Sequence, residues 1–118
     1  MAIVVGLLST AEGQAALAAA KREAHERSVP LTVVVTRDDG GPERQAVEDD
    51  LAASGLTYSV VGGTGDLADD LVRTAQEAHA ELIVVGLRRR SPVGKLILGS
   101  GAQRILLEAP CPVLAVKP

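Results

Sequence analysis

Aromatic side chains are almost missing from this chain of 118 residues: Tyr58 stands alone, with no Trp and no Phe. The core must therefore be filled by Val, Leu, Ile and Ala. Single-stranded nucleic acid also loses the stacking platforms on which its binding ordinarily rests. Cys111 is the one cysteine, so no intrachain disulfide can form. Lying between Pro110 and Pro112 at the entry to an apolar run, it reads as a small buried hydrophobe rather than a redox thiol. His25 and His79 are the only histidines, and no Cys/His cluster exists to hold a metal. Both fall in the second half of expected helices, where a helix-end cation is ordinary. Without a nucleophile beside a base, or a base placed for water, an enzyme is not expected. No apolar run approaches the roughly 18 residues of a membrane span, so no membrane partner is expected. Met1-Ala2-Ile3-Val4-Val5-Gly6 enters an apolar segment with neither basic leader nor small-residue cleavage site, which sets the expectation of a cytoplasmic protein.

Apolar residues make up 47% of the chain, too many for a disordered one, and residues 1–118 fit a single domain. The net charge of -3 conceals an asymmetry. Residues 1–85 carry 14 acids and 6 bases, whereas 86–118 carry 6 bases and 1 acid, with Arg88, Arg89 and Arg90 adjacent. A local basic loop on an acidic protein suits a small anion or an acidic partner better than a DNA backbone, which the remaining surface would repel, so no nucleic acid is expected. It suits a solvated loop equally well. Asp38-Asp39, Asp49-Asp50 and Asp69-Asp70 read as solvated faces or turns.

Short β-branched runs without polar alternation mark buried strands at Ile3–Leu7, Leu31–Thr36 and Leu82–Gly86, the last expected to be central. Leu56–Val61 alternates and suits a strand nearer the edge; Val113–Val116 is the fifth. Between them the spacing predicts helices at about 11–28, 43–53, 67–80 and 100–108. Ser9-x-x-Glu12 reads as a capping box and Asp66 as an N-cap. Ser28-Val29-Pro30 stops the first helix, and Gly55 ends the second in the left-handed region. Inner faces fall at Ala16, Leu17, Ala20 and Ala24, at Leu67, Leu71, Val72 and Ala75, and at Ile105 and Leu106. Residues 87–98 read as a loop with one helical turn after Ser91-Pro92. This β-α alternation, with right-handed crossovers, specifies an α/β fold: a three-layer, open twisted sheet of five parallel strands, Rossmann-like, with helices on both faces.

Ligands in such sheets lie beyond the carboxyl ends of the strands, where the winding reverses. Gly62-Gly63-Thr64-Gly65 lacks a full G-x-G-x-x-G and reads as a flexible turn. Gly94-Lys95 is not a Walker A loop, because Arg89 stands where glycine is needed and Leu96 where Ser or Thr is needed. What remains is Gly86 closing a strand, the arginines, and Gly99-Ser100-Gly101 opening a helix. The free N–H groups of that helix start suit an anion, or Ser100 is simply an N-cap. Gly6-Leu7-Leu8-Ser9-Thr10 offers two hydroxyls but no acid and no base. A phosphoacceptor receiver would need acids at Leu7-Leu8 and Gly62, and a dinucleotide oxidoreductase a glycine-rich first turn.

Leu82 to Val116, with Gly86-x-x-Arg89, nine residues, Gly99-Ser100, a helix and Ala109-Pro110-Cys111-Pro112-Val113-Leu114-Ala115-Val116, resembles the C-terminal signature of universal stress proteins. Element order agrees along the whole chain, with a trimmed second helix. The resemblance implies strand order 3-2-1-4-5, a homodimer paired through the fifth strand, and a site for ATP or another adenine nucleotide. Its residues would be Gly6, Leu8, Ser9, Thr10, Val35, Thr36, Gly86, Arg88, Arg89, Gly99, Ser100 and Gly101. Val35 and Thr36 would offer backbone contacts to adenine. Two departures stand out. Leu8 occupies the position where nucleotide-binding members carry an Asp, and Arg89 replaces the second glycine of the signature. Losing a charge-assisted hydrogen bond costs about 1.5–3 kcal/mol, roughly ten- to a hundredfold in affinity. The expectation is weak or lost nucleotide binding in a stress-response protein with an unknown protein partner. The alternative is a working ATP, AMP or cyclic AMP sensor.

Overall fold

A computed structural model describes residues 1–7, 11–35, 42–89, 96–97 and 100–117; at 7, 11–12, 42–43, 88–89, 96–97 and 100 it describes the backbone alone. Strand β1 (Ile3–Leu7) leads to helix α1 (Ala11–Arg27), then β2 (Leu31–Val35), α2 (Pro42–Ser54), β3 (Tyr58–Gly62), α3 (Leu67–Glu77) and β4 (Leu82–Gly86). A two-residue pair, β5 (Arg88–Arg89) and β6 (Leu96–Ile97), precedes α4 (Ser100–Glu108) and β7 (Val113–Val116). The main sheet is parallel throughout, in the order β3-β2-β1-β4-β7. This is the 3-2-1-4-5 order of the five long strands.

Side chains alternate across each strand, and the interior strands have apolar residues on both faces. Ile3, Val5, Leu31, Val33, Val35, Leu82 and Val84 face the alanine stripe of α1 and the Val47 and Leu51 side of α2. Val4, Val34, Ile83 and Val85 face Ala68, Leu71 and Ala75 of α3 and Ile105 of α4. The alanines predicted for the inner face of α1 are all buried, and their lack of bulk lets the helix lie close to the sheet.

Helix ends account for several differences from the sequence reading. Helix α3 stops at Glu77, because His79 takes a left-handed backbone (φ 51) and Ala80 N–H donates to the Ala75 carbonyl. Ser28 (φ 55) does the same for α1, with Val29 N–H on the Ala24 carbonyl. Both are Schellman closures built without the usual glycine; the stop at Ser28-Val29-Pro30 is the one expected from the sequence, whereas His79 gave no turn signal. His79 therefore lies past its helix. Gly55 (φ 79) follows α2 as predicted. Strand β3 runs two residues later than expected at its start, because Leu56 N–H is taken by the Ser54 hydroxyl; Gly62 joins the strand. Leu106 is 48% exposed rather than inward, since the short α4 turns only Ile105 fully into the core. The segment after β4 contains an antiparallel pair, Arg88 opposite Ile97 and Arg89 opposite Leu96. The helical turn expected after Ser91-Pro92 and the Ser9 part of the capping box lie outside the described residues.

The left-handed backbone costs an L-residue about 1–2 kcal/mol. Replacing His79 with Gly is therefore expected to stabilise the protein by up to about 1 kcal/mol, and Gly55→Ala to destabilise it by a similar amount. Thermal unfolding of the two variants checks both signs.

Candidate functional site

Parallel strands end on one side of the sheet, and their register sets which residues meet there. Leu7 is level with Val35, Val35 with Gly62, and Gly86 with Val116. Pairing of Val5 with Val84 brings Leu7 level with Gly86 two residues on. The chain winds from β1 to β2 in one direction and from β4 to β7 in the other. The crevice of this fold therefore opens between the ends of β1 and β4.

Gly6 and Gly86 flank it on neighbouring strands. Gly6 is buried, and a Cβ there would come within 2.9 Å of Leu67 Cδ1, so its lack of a side chain admits the start of α3. Val35 lies one strand further over, and its carbonyl already accepts from Gly63 N–H at 2.8 Å. Arg88 and Arg89 form β5, an extended backbone that arginine adopts without strain. Their partner strand returns the chain to α4: Ile97, opposite Arg88, stands three residues before Ser100, the first residue of that helix. Gly101 follows, and among the described residues a Cβ at Gly101 would meet nothing within 4 Å. The structure thus brings Gly6, Gly86, Arg88, Arg89, Ser100 and Gly101 to one end of the sheet, with Val35 beside them. Leu8, Ser9, Thr10, Thr36 and Gly99 lie outside the described residues.

Two helices begin at this end with opposite electrostatics. Helix α3 supplies its own negative charge: Asp66 caps it by accepting from Asp69 N–H at 3.2 Å, and Asp69 and Asp70 fill its first turn. Helix α4 has no acid in its first turn, so its positive dipole end is not offset there by charge of its own. Arg104 of α4 reaches Asp66 at 3.2 Å and ties the two helix starts together. The Asp69 N–H and the Arg104 guanidinium hold the Asp66 carboxyl below its ordinary range.

Asp70 corrects the sequence reading, which left it on a solvated face. It is 0% exposed. Its carboxylate accepts from Thr64 N–H at 2.7 Å, the Thr64 hydroxyl at 3.0 Å and Arg73 at 2.8 Å. Burial pushes the carboxyl up, but the Thr64 and Arg73 hydrogen bonds outweigh it, and the net direction is down. The helical spacing held the clue: Asp70 falls between Leu67 and Thr74 on the inner stripe of α3, one turn from the glycine cluster. Asp69, by contrast, is exposed. Cys111 packs against the second core cluster, where burial raises its thiol pKa. Among the described residues no group of three or more His, Cys, Asp or Glu could hold a metal ion, and no helix is long and apolar enough to cross a membrane.

A doubly wound α/β domain with glycines at the strand ends beside its switch point is the class that fold and site define. The model of the universal stress protein family matches residues 36–117. A universal stress protein of Mycolicibacterium smegmatis is 41% identical over 126 aligned residues, covering 98% of this chain and 97% of that one. Among solved structures, a universal stress protein from Archaeoglobus fulgidus superposes with a TM-score of 0.75 at 31% identity, covering 99% of this chain and 98% of the other. The universal stress protein from the same organism in complex with dAMP gives a TM-score of 0.71 at 26% identity, again covering 99% and 98%. The chain belongs to the universal stress protein family.

Removing the Asp70 carboxylate frees the two Thr64 donors and the Arg73 charge, so Asp70→Ala is expected to cost about 1–3 kcal/mol in urea unfolding. The pH dependence has a definite sign. Asp70 titrates below its unfolded value of about 4 in the folded protein, so its contribution is complete above that pH and is lost as pH falls through the folded value. Below about pH 4, wild-type stability should decline more steeply than that of Asp70→Ala.

Proposed function

We propose that this universal stress protein is a non-catalytic homodimeric domain whose adenine-nucleotide pocket, at the β1/β4 crevice, binds nucleotide weakly or no longer binds it. The observation that carries this reading is the mismatch between the two sides of the crevice. On the α4 side, a helix start free of acid, with nothing among the described residues crowding Gly101, suits a phosphate. On the β1 side, Leu8 supplies no acceptor for a ribose, where binding members of the family carry Asp. Val35 is expected to offer a backbone contact to adenine, and its carbonyl, which accepts from Gly63 N–H, keeps a second lone pair. Arg88 and Arg89 add charge for phosphates without compensating for the missing carboxylate. A working sensor of AMP, ATP or cyclic AMP is the second reading, favoured by the same α4 start and by the dAMP complex of the Archaeoglobus fulgidus relative.

Dimerisation rests on the sheet edges. Ile83 and Leu87 N–H donate to the Pro112 and Val116 carbonyls, so the alternate residues Val113 and Ala115 turn their backbone groups outward at the edge of the sheet. At the opposite edge, Arg44 of α2 donates to the outward Val60 carbonyl at 3.1 Å. In α4, Arg104 points to α3 and Ile105 to the core. Leu106 therefore turns the other way, towards the β7 edge, and extends its apolar surface. Pairing of two β7 strands across a twofold axis satisfies these groups.

Calorimetry with AMP, ATP and cyclic AMP tests the pocket: wild type should bind weakly or not at all, and Leu8→Asp should gain roughly ten- to a hundredfold. Micromolar binding by wild type favours the sensor. Gly101→Ala should stabilise the fold by up to about 1 kcal/mol through helix propensity while weakening any nucleotide binding that remains. Light scattering should give twice the chain mass of 12.1 kDa. Ala115→Pro, which removes an outward N–H but no ladder bond, should shift the protein to monomer.

A further inference from the structure

The glycine cluster Gly62-Gly63-Thr64-Gly65 and the buried Asp70 have no part in the pocket as assigned above, yet they meet at its rim. With three glycines in four residues, and Gly65 at φ 105, this turn has little stiffness of its own. It is nevertheless held from within. Asp70 binds both the N–H and the hydroxyl of Thr64, Thr64 Oγ1 lies 3.4 Å from the Asp66 N–H, and Gly63 N–H donates to the Val35 carbonyl at the end of β2. The same helical turn makes two further contacts. Leu67, one turn before Asp70 on the same stripe, lies against Gly6 at the end of β1. Asp66 holds Arg104, in the first turns of α4.

We propose that the first turn of α3 is the positioning element of the crevice, with Asp70 the positioning residue that acts through Thr64. It fixes at once the wall beside β2, the floor at Gly6 and the orientation of the α4 start. This role deepens the nucleotide-pocket assignment and rests on it for its ligand, but the rigidity it predicts exists in the ligand-free protein. A buried carboxylate serving only to close a turn would influence that turn alone. Here the turn, the Asp66 cap and α4 are joined in sequence, so loosening Thr64 is transmitted to Arg104.

Hydrogen exchange on the ligand-free protein and titration with AMP test this together. The variants are Asp70→Asn, Thr64→Val, the conservative Thr64→Ser, and Val47→Ala, which destabilises the opposite face of the sheet. Asp70→Asn and Thr64→Val should speed exchange about tenfold at residues 63–67 and also at 102–104, with Thr64→Ser close to wild type and Val47→Ala without this pattern. Acceleration confined to 63–65 overturns the proposal, as does the same pattern in Val47→Ala. If wild type binds AMP, the two variants should weaken it about tenfold and Thr64→Ser should restore it; unchanged affinity overturns the proposal. If wild type does not bind AMP even at millimolar concentration, the sensor reading fails, and the exchange pattern alone decides the positioning role.

Discussion

A parallel strand with aliphatic side chains on both faces is stable only between two helical layers, and the rest of this structure follows from that requirement. Strands β1, β2 and β4 are buried on either side, and among the described residues the buried side chains of both core clusters are aliphatic, with Tyr58 packed at the margin of one. Without aromatic bulk the layers must approach closely, and the alanines of α1 make this possible on one face. On the other, α3 is drawn in until Leu67 rests on Gly6, where an added Cβ would come within 2.9 Å of its Cδ1 and the leucine would have to shift. Close approach carries the first turn of α3 to the carboxyl ends of the strands. A fold requirement thereby determines what borders the crevice.

The core was legible because its signal is periodic. The interior strands, the alanine face of α1, the Asp66 cap and the Gly55 terminator all follow from spacing and local chemistry. Strand order did not follow from spacing; it came from the resemblance of the C-terminal segment to a known family. The features that escaped had no pattern in the sequence to announce them. His79 closes α3 in a left-handed backbone without the usual glycine, whereas the stop at Ser28 was expected. Asp70 reads as one more surface acid until the glycine turn folds back over it and supplies two donors from Thr64, beside the Arg73 guanidinium of its own helix. The β5/β6 pair has no alternation of its own, being only two residues on each side, and exists because the chain must return from β4 to the start of α4.

Charge divides the rim of the crevice. Of two neighbouring helix starts, one carries its own aspartates and the other has no acid in its first turn, so of the two the α4 start is the more favourable to negative charge. The Asp66–Arg104 pair joins the two starts at little cost. It is exposed and worth no more than about 1 kcal/mol by itself, yet it connects elements that are each anchored in the core. The overall charge asymmetry has its counterpart here: the acidic first two thirds of the chain contributes the helix start with aspartates, and the basic last third the one without.

The unequal edges of the sheet limit how far assembly can proceed. An acceptor on the β3 side is occupied by Arg44, while the groups on the β7 side point away from the molecule. In the dimer proposed above, β7 is the joined border, each copy uses it once, and the pair is complete at two. Pairing of that proposed kind would end in a closed particle rather than a filament, even though the edge strand is short, aliphatic and uncharged.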